Sequence, residues 1–315
     1  MRSAVLEESL SKLGRQFAER DWRYIDMQVG GSVEKYFAWP APAGDNIMIC
    51  VHRGKQIREL FHRQDFFFFN FAYSGDYGAL SGSEDNRIVV HENECYIGQP
   101  FSGYALSADS EEEIIIIGVL IEREAFFKIF LPAISADARL FHFFLKPQTD
   151  KYADEYIRLR FDDSCNVRTL LEMMVIEYAS PGEDTQAILQ LLALALLMQV
   201  ARRCRASRAE PEGEAPAGKI IRFMGEHAGA LKLRDVAARF SYHPNYVSGL
   251  LRRVTGKTFS EISLEQRMRR AEILLKCTKL SVEDIALMLG YSSSSNFYKA
   301  FREYFGKSPR EYLKA

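Results

Sequence analysis

The feature that most constrains this chain is an internal repeat near its end. Asp235-Val-Ala-Ala-Arg-Phe-Ser-Tyr-His-Pro-Asn-Tyr-Val-Ser-Gly-Leu-Leu-Arg252 is matched by Asp284-Ile-Ala-Leu-Met-Leu-Gly-Tyr-Ser-Ser-Ser-Ser-Asn-Phe-Tyr-Lys-Ala-Phe-Arg302. Ala237 pairs with Ala286 at an offset of 49, and Gly256 with Gly306 at an offset of 50. The second copy therefore carries one extra residue in its turn. A period of about 50 residues also occurs in solenoids, but two copies fit a duplicated compact helical unit better.

Each copy reads as helix, short turn, helix. Ala237 and Ala286 are small residues where a second helix crosses closely, and Ser241 or Gly290 occupies the turn. Val247, Leu250 and Leu251 in one copy, and Phe297 and Phe301 in the other, form the apolar face of the second helix. That is the helix-turn-helix pattern. Ser281-x-x-Asp284, Thr258-x-x-Glu261 and Ser308-x-x-Glu311 are capping boxes or close variants, and Pro309 suits a first helical position. Lys232 stands where the second copy has Ser281, so the first copy starts less well capped. Between the copies, about 259–276 reads as one long helix with Ile262, Leu264, Met268, Ala271, Leu274 and Leu275 on its apolar side. It would hold two recognition helices at a fixed separation, suited to successive major-groove segments about 34 Å apart.

Charge agrees with a nucleic-acid partner. The chain has 315 residues and a net charge of −1, but residues 218–315 hold 18 Lys and Arg against 9 Asp and Glu, a net of +9. Residues 1–217 carry 23 basic and 33 acidic side chains. A basic segment joined to an acidic one points to nucleic acid for the basic part. The polar stretch Arg205-Ala-Ser-Arg-Ala-Glu-Pro-Glu-Gly-Glu-Ala-Pro-Ala-Gly218 separates them as a linker.

Leu289-Gly-Tyr-Ser-Ser-Ser-Ser-Asn-Phe-Tyr-Lys-Ala-Phe-Arg-Glu-Tyr-Phe-Gly-Lys-Ser-Pro-Arg-Glu-Tyr312 resembles the C-terminal signature of the AraC/XylS family of bacterial transcription regulators, and Arg267 and Ala271 match its linker-helix pattern. The resemblance covers about residues 218–315. It implies a double-stranded DNA partner, RNA polymerase as a second partner and, more often, an activator. On the second recognition helix Ser294, Ser295, Tyr298, Lys299 and Arg302 lie away from the Phe297/Phe301 face. The family places the first four of these in the groove. On the first, Asn245, Ser248 and Arg252 are the candidates; Asn245 has the chemistry to read adenine. Gly249 departs from the family, where a long basic side chain is common.

Upstream, residues 25–121 read as short strands. Apolar stretches at Ile47–Val51, Phe66–Tyr73, Arg87–Val90, Cys95–Ile97 and Ile114–Ile121 alternate with Gly, Asn, Asp and Ser clusters. His91-Glu-Asn-Glu-Cys95, between two strands, reads as a tight hairpin turn, with Asn93 tolerating a positive φ. Phe66-Phe-Phe-Phe-Asn-Phe71 is apolar on both faces and is expected inside. Helices follow at Val167–Tyr178 and about 185–203. The second has an apolar stripe that Leu194 and Leu197 widen. That width is explained either by docking on its own domain or by meeting the same helix of a second subunit.

The fold class expected is α+β and multidomain: an N-terminal cupin-like β-barrel plus helices, and a C-terminal all-α domain with two helix-turn-helix units. The boundaries expected are 1–150 for an effector domain, 151–205 for a helical dimerisation segment, 206–217 for the linker and 218–315 for DNA binding. The longest apolar runs, Ile114–Ile121 and Leu191–Met198, have eight residues each, against about 20 for a membrane span. Met1-Arg2-Ser3 does not open a signal peptide. A bacterial cytoplasmic protein is expected, as a homodimer and away from membranes.

Chemistry-bearing motifs are sparse. Cys50, Cys95, Cys165, Cys204 and Cys277 are scattered singly, which argues against disulfides and a cysteine zinc site. His62-Arg-Gln-Asp65 offers one histidine, and His52, His91 and His142 are dispersed. No catalytic residue, metal or cofactor is expected, and the chain is not read as an enzyme. A small-molecule effector is expected at the barrel mouth, with His62, Tyr73 and Tyr104 as candidate contacts. Two rival readings are an effector-independent regulator, whose N-terminal part only dimerises or binds a protein, and a cupin enzyme with a DNA-binding tail.

Overall fold

A computed structural model of the chain describes residues 3–20, 22–29, 32–42, 44–81, 83–134, 140–141, 143–144, 156–161, 166–206, 216–226 and 231–313. Residues 207–215 of the expected linker, His142 and Cys165 lie outside the described residues. The chain divides into two compact units, Met1–Phe130 with Asp150–Cys204, and Leu131–Thr149 with Arg205–Ala315.

The first unit is built on a branched sheet of ten strands among the described residues: β1 (Ile25–Val29), β2 (Ser32–Phe37), β3 (Ile47–Arg58), β4 (His62–Gln64), β5 (Phe67–Ser74), β6 (Tyr77–Ser81), β7 (Ser83–Val90), β8 (Glu94–Gly98), β9 (Tyr104–Ile121) and β10 (Ile157–Arg160). The path runs β1-β2-β4-β9-β5-β8-β10, with β3 and β6 also paired to β9 and β7 to β6. It stays open and branched; β1 and β10 do not meet, so the expected barrel is not closed by strand pairing. The β2/β4 pair is parallel. β9 is far longer than its apolar run Ile114–Ile121. Its first residues pair with β6 and with the end of β3, and its last with β5 and the start of β3. A register shift between Gly54 and Gln56 of β3 marks the change.

The phenylalanine run is buried on both faces, as its composition predicts. Phe68 packs toward Tyr96 and Tyr104, while Phe67 meets Phe126 and Phe127 on the other side. The turn before β8 places Asn93 at φ 64°, but it does not close a hairpin: β7 pairs with β6, whereas β8 pairs with β5 and β10. Cys50, Cys95 and Cys204 are buried thiols.

Among the described residues three helices of more than ten residues flank the sheet, α1 (Ala4–Ala18), α2 (Val167–Ala179) and α3 (Thr185–Ala206), besides the short helical segment 123–130 that carries Phe126 and Phe127. In α1, Ser3 Oγ accepts from Leu6 N and caps the helix, while Leu6, Leu10 and Leu13 are buried. Arg53 of β3 bonds Glu7 of α1 at 2.5 Å and Glu113 of β9 at 2.9 Å. Gln186 fixes the start of α3: its Oε1 accepts from Asn46 N and Ile47 N, and its Nε2 donates to Ile47 O. α3 is long and apolar enough to cross a membrane by length and composition. The expectation from short apolar runs missed this, because Gln190 and Gln199 interrupt the runs without adding charge. Leu189, Ala193, Leu196, Leu197 and Val200 of α3 are buried; Ile188, Leu191, Ala195 and Met198 form an exposed line. Leu197 thus packs within its own unit, while Leu191 is 70% exposed.

The second unit contains α4 (Pro216–Glu226), α5 (Leu233–Arg239), α6 (Pro244–Thr255), α7 (Phe259–Cys277), α8 (Val282–Met288), α9 (Ser294–Phe305) and α10 (Pro309–Leu313). Residues Leu131–Thr149 group with it, although the sequence reading places them before residue 150.

Candidate nucleic-acid interface and ligand cavity

α5–α6 and α8–α9 are two helix, turn, helix pairs built alike. Each first helix ends in the same pair of bonds. Ser241 N donates to Ala238 O and Tyr242 N to Ala237 O; Gly290 N donates to Leu287 O and Tyr291 N to Ala286 O. Both turn residues have positive φ, 56° at Ser241 and 76° at Gly290. That closure is how a helix terminates in the left-handed conformation. Beyond the turn the offset becomes 50, and burial is the same residue for residue from His243/Ser293 to Thr258/Ser308. Val247 and Leu251 are buried where Phe297 and Phe301 are buried. Both second helices end on a glycine, Gly256 and Gly306, each at φ 74°.

The caps follow the residues that predict them. Thr258 Oγ1 accepts from Glu261 N, and the Glu261 carboxylate accepts from Thr258 N; Ser308 and Glu311 repeat the exchange. Asp284 N donates to Ser281 Oγ. The first copy starts differently: the Asp235 carboxylate accepts from Lys232 N. Around these helices lie two cores. Ile220, Met224, Val236, Ala237, Val247, Leu251 and Ile262 form the first. In the second, Phe301 meets Phe297, Phe305 and Tyr312 with ring centroids 4.5–5.6 Å apart.

What remains outside is a polar stripe on each second helix. On α9, Ser295, Lys299 and Arg302 are exposed, and Ser294 and Tyr298 are half-buried. On α6, Asn245, Gly249, Arg252 and Arg253 are exposed and Ser248 is half-buried. The position of Lys299 on α9 is Gly249 on α6, and that of Arg253 on α6 is the exposed Glu303 on α9, so the two stripes carry their positive charge at different places. His243 caps α6, its Nδ1 accepting from Asn245 N, which is the turn role its place suggests.

The first unit holds a cavity of about 390 Å³. His62 of β4 and Tyr104 of β9 are direct partners in the sheet and both line it. Tyr73 does not: its hydroxyl donates to Glu172 and its ring lies under Arg168, beside a separate depression. His52 and Glu59 also line the cavity. The expectation that His62 stands alone is corrected, because β3 and β4 both pair with β9 and bring His52 and His62 to one cavity, whereas His91 bonds Asp76 and does not line it. His52 Nε2 lies 3.3 Å from the Glu59 carboxylate. Burial pushes His52 down to about 3, and also lowers His62, whose Nδ1 bonds Leu60 O. Burial pushes the Glu59 carboxyl up to about 8. Asn70 Nδ2 donates to the Tyr104 hydroxyl. Among the described residues, no group of three or more His, Cys, Asp or Glu side chains is placed to hold a metal ion. Sequence reasoning missed Glu59, His52 and the aromatic wall of Trp22, Tyr24 and Phe37, since nothing local marks them.

A helix-turn-helix domain family matches residues 236–315. The chain is 35% identical over 96 residues to the Msm operon regulatory protein of Streptococcus mutans, covering 30% of this chain and 34% of that protein. It is 32% identical over 94 residues to the regulatory protein SoxS of Salmonella typhimurium, covering 30% of this chain and 88% of SoxS. The chain belongs to the AraC/XylS family. Members of this family are DNA-binding transcription regulators, and the matched residues contain both repeated second helices. Among solved structures the chain is similar to the C-terminal domain of AraT, a response regulator from Geobacillus stearothermophilus. The identity is 28% and the TM-score 0.31, over 32% of this chain and 85% of that one. The chain spans about a third of the length of the first curated relatives it matches.

Proposed function

We propose that this protein is an effector-controlled transcription activator that binds a specific double-stranded DNA site through α6 and α9. The observation that carries this is the duplicated unit, with identical burial along both second helices and a polar, basic stripe left exposed. Asn245, Ser248 and Arg252 of α6, and Ser294, Ser295, Tyr298, Lys299 and Arg302 of α9, face the DNA. α7 spaces the two helices for successive major-groove segments, and bound at the promoter the protein contacts RNA polymerase. The domains are 1–150, a cupin-like effector domain; 151–205, a helical dimerisation segment; 206–217, a linker; and 218–315, the DNA-binding domain. The protein works in the bacterial cytoplasm, binds without catalysis, and takes its effector in the cavity that His62 and Tyr104 line. Effector binding favours one arrangement of the two domains.

Lys299 tests the DNA reading. It is exposed two residues before the buried Phe301, so Lys299→Ala loses no core contact. Affinity for the cognate site is expected to fall by about 1–3 kcal/mol with relaxed preference at one position if the contact is to a base. If it is to phosphate, binding weakens evenly and the salt slope drops by about 1. Titrations at two salt concentrations on cognate and scrambled DNA separate the two. Unchanged cognate affinity would remove Lys299 from the interface.

The exposed line Ile188, Leu191, Ala195 and Met198 is the proposed dimer face of α3. Leu191→Glu, at a side chain 70% exposed, is expected to leave the fold intact and shift sedimentation to a monomer. A wild-type chain already monomeric at micromolar concentration would sink the dimer.

A further inference from the structure

We infer that the cavity of the first unit takes an organic cation, its ammonium group seated between the Glu59 carboxylate and an aromatic wall. This rests on the proposal that the cavity is the effector site. The wall is continuous. Phe17 meets His52 at 4.2 Å and Trp22 at 4.5 Å between ring centroids; Trp22 meets Phe37 at 4.9 Å. Phe37 meets Tyr24 at 5.5 Å, and Tyr24 meets His62 at 5.3 Å. All of these rings line the cavity. Aromatic faces attract cations, and quaternary ammonium groups are held in such cages.

Glu59 supplies the matching charge. It follows directly on β3, and its side chain is 19% exposed. One oxygen faces His52, and the other accepts from Leu106 N at 3.4 Å. Among the described residues no lysine or arginine makes an ion pair with it. Arg53 is engaged by Glu7 and Glu113, Arg58 is exposed, and Arg20 donates to Pro40 O while lying over Trp22. The two imidazoles are neutral near pH 7, as their lowered pKa values require. An anion entering here would meet the Glu59 carboxyl, while the two arginines that line the cavity are Arg53, already held by Glu7 and Glu113, and Arg58, at the solvent-exposed rim. A cation would meet a carboxyl held protonated by burial and would draw its proton off, since an opposite charge favours the ionised form. Tyr24 and Tyr104, which also face Glu59, are raised above the ordinary tyrosine range and stay neutral.

The test is calorimetry on the full chain with four probes: benzyltrimethylammonium, benzyl alcohol, benzoate and glucose. The ammonium compound is expected to bind at least tenfold tighter than the others. Its affinity should rise about tenfold from pH 6.5 to 8, as Glu59 ionises more readily. Glu59→Gln should remove both the preference and the pH dependence. Tyr24→Leu should weaken the ammonium compound several-fold and keep the pH dependence, which covers the case of a Glu59 variant that fails to fold. Tighter binding of benzyl alcohol, benzoate or glucose would overturn the cation inference and leave the effector cavity standing. Equal binding of the ammonium compound to Glu59→Gln would overturn it too. Binding of none of the four would count against both.

Discussion

Phe301→Ala is expected to cost the second helical pair about 3–5 kcal/mol, the usual loss when a buried phenylalanine is truncated. The ring is fully buried and sits where α9 and α10 meet. Neither Phe297 nor Tyr312 can fill its space without leaving its own contacts, so a cavity remains. Both tryptophans, Trp22 and Trp39, lie in the first unit. Urea unfolding followed by tryptophan emission should therefore be unchanged, while the part of the helical circular dichroism signal that belongs to α4–α10 loses stability. Specific DNA binding should be lost with it, because α9 carries Lys299 and Arg302. A circular dichroism transition within 1 kcal/mol of wild type would mean that α9 is not held by this core. The equivalent Leu251 is smaller and aliphatic, and Leu251→Ala belongs nearer the low end of the range for a buried leucine, about 2 kcal/mol.

The repeated helical part of the second unit was legible because its information is local. A cap, a 3.6-residue period and a turn residue are read within a dozen positions, and the repeat checks each against its copy. The first unit was legible only in part. The strand Ile114–Ile121 was visible as an apolar run, but β9 begins at Tyr104. Its middle residues Ser107–Glu113 are largely exposed and polar, and Ser107, Ala108 and Asp109 are held in the strand by pairing with β3, not by hydrophobicity. The cavity was hidden for a related reason. His52 and His62 are ten residues apart in sequence and become neighbours only through β9. The helix α1 carries a local signal of the same kind, Leu6, Leu10 and Leu13 at helical spacing behind a Ser3 cap. Width alone could not divide the leucines of α3 between its own unit and a partner, since that depends on where the helix lies on the sheet.

Gly98→Ala is the second large effect expected, about 3 kcal/mol, at the top of the range for overpacking a core. Gly98 of β8 is the register partner of Phe68 on β5, and the phenyl ring folds over it. An added Cβ would lie 1.9 Å from Phe68 Cζ and 2.2 Å from Cε1, far inside contact distance, so the ring must move. Tyr96 and Tyr104 flank it, with centroids 5.8 and 4.8 Å away. Phe68 also lines the cavity, and that is where open space lies. The displaced ring should therefore enter the cavity and occupy part of the proposed effector site. Tryptophan-monitored unfolding should show the stability loss in the first unit, with the helical transition of the second unit unchanged. Whatever probe the wild-type cavity binds should bind at least tenfold more weakly. Wild-type stability in Gly98→Ala would mean that the ring does not rest on this glycine. Lost stability with undiminished binding would mean that the cavity is not where the ligand sits.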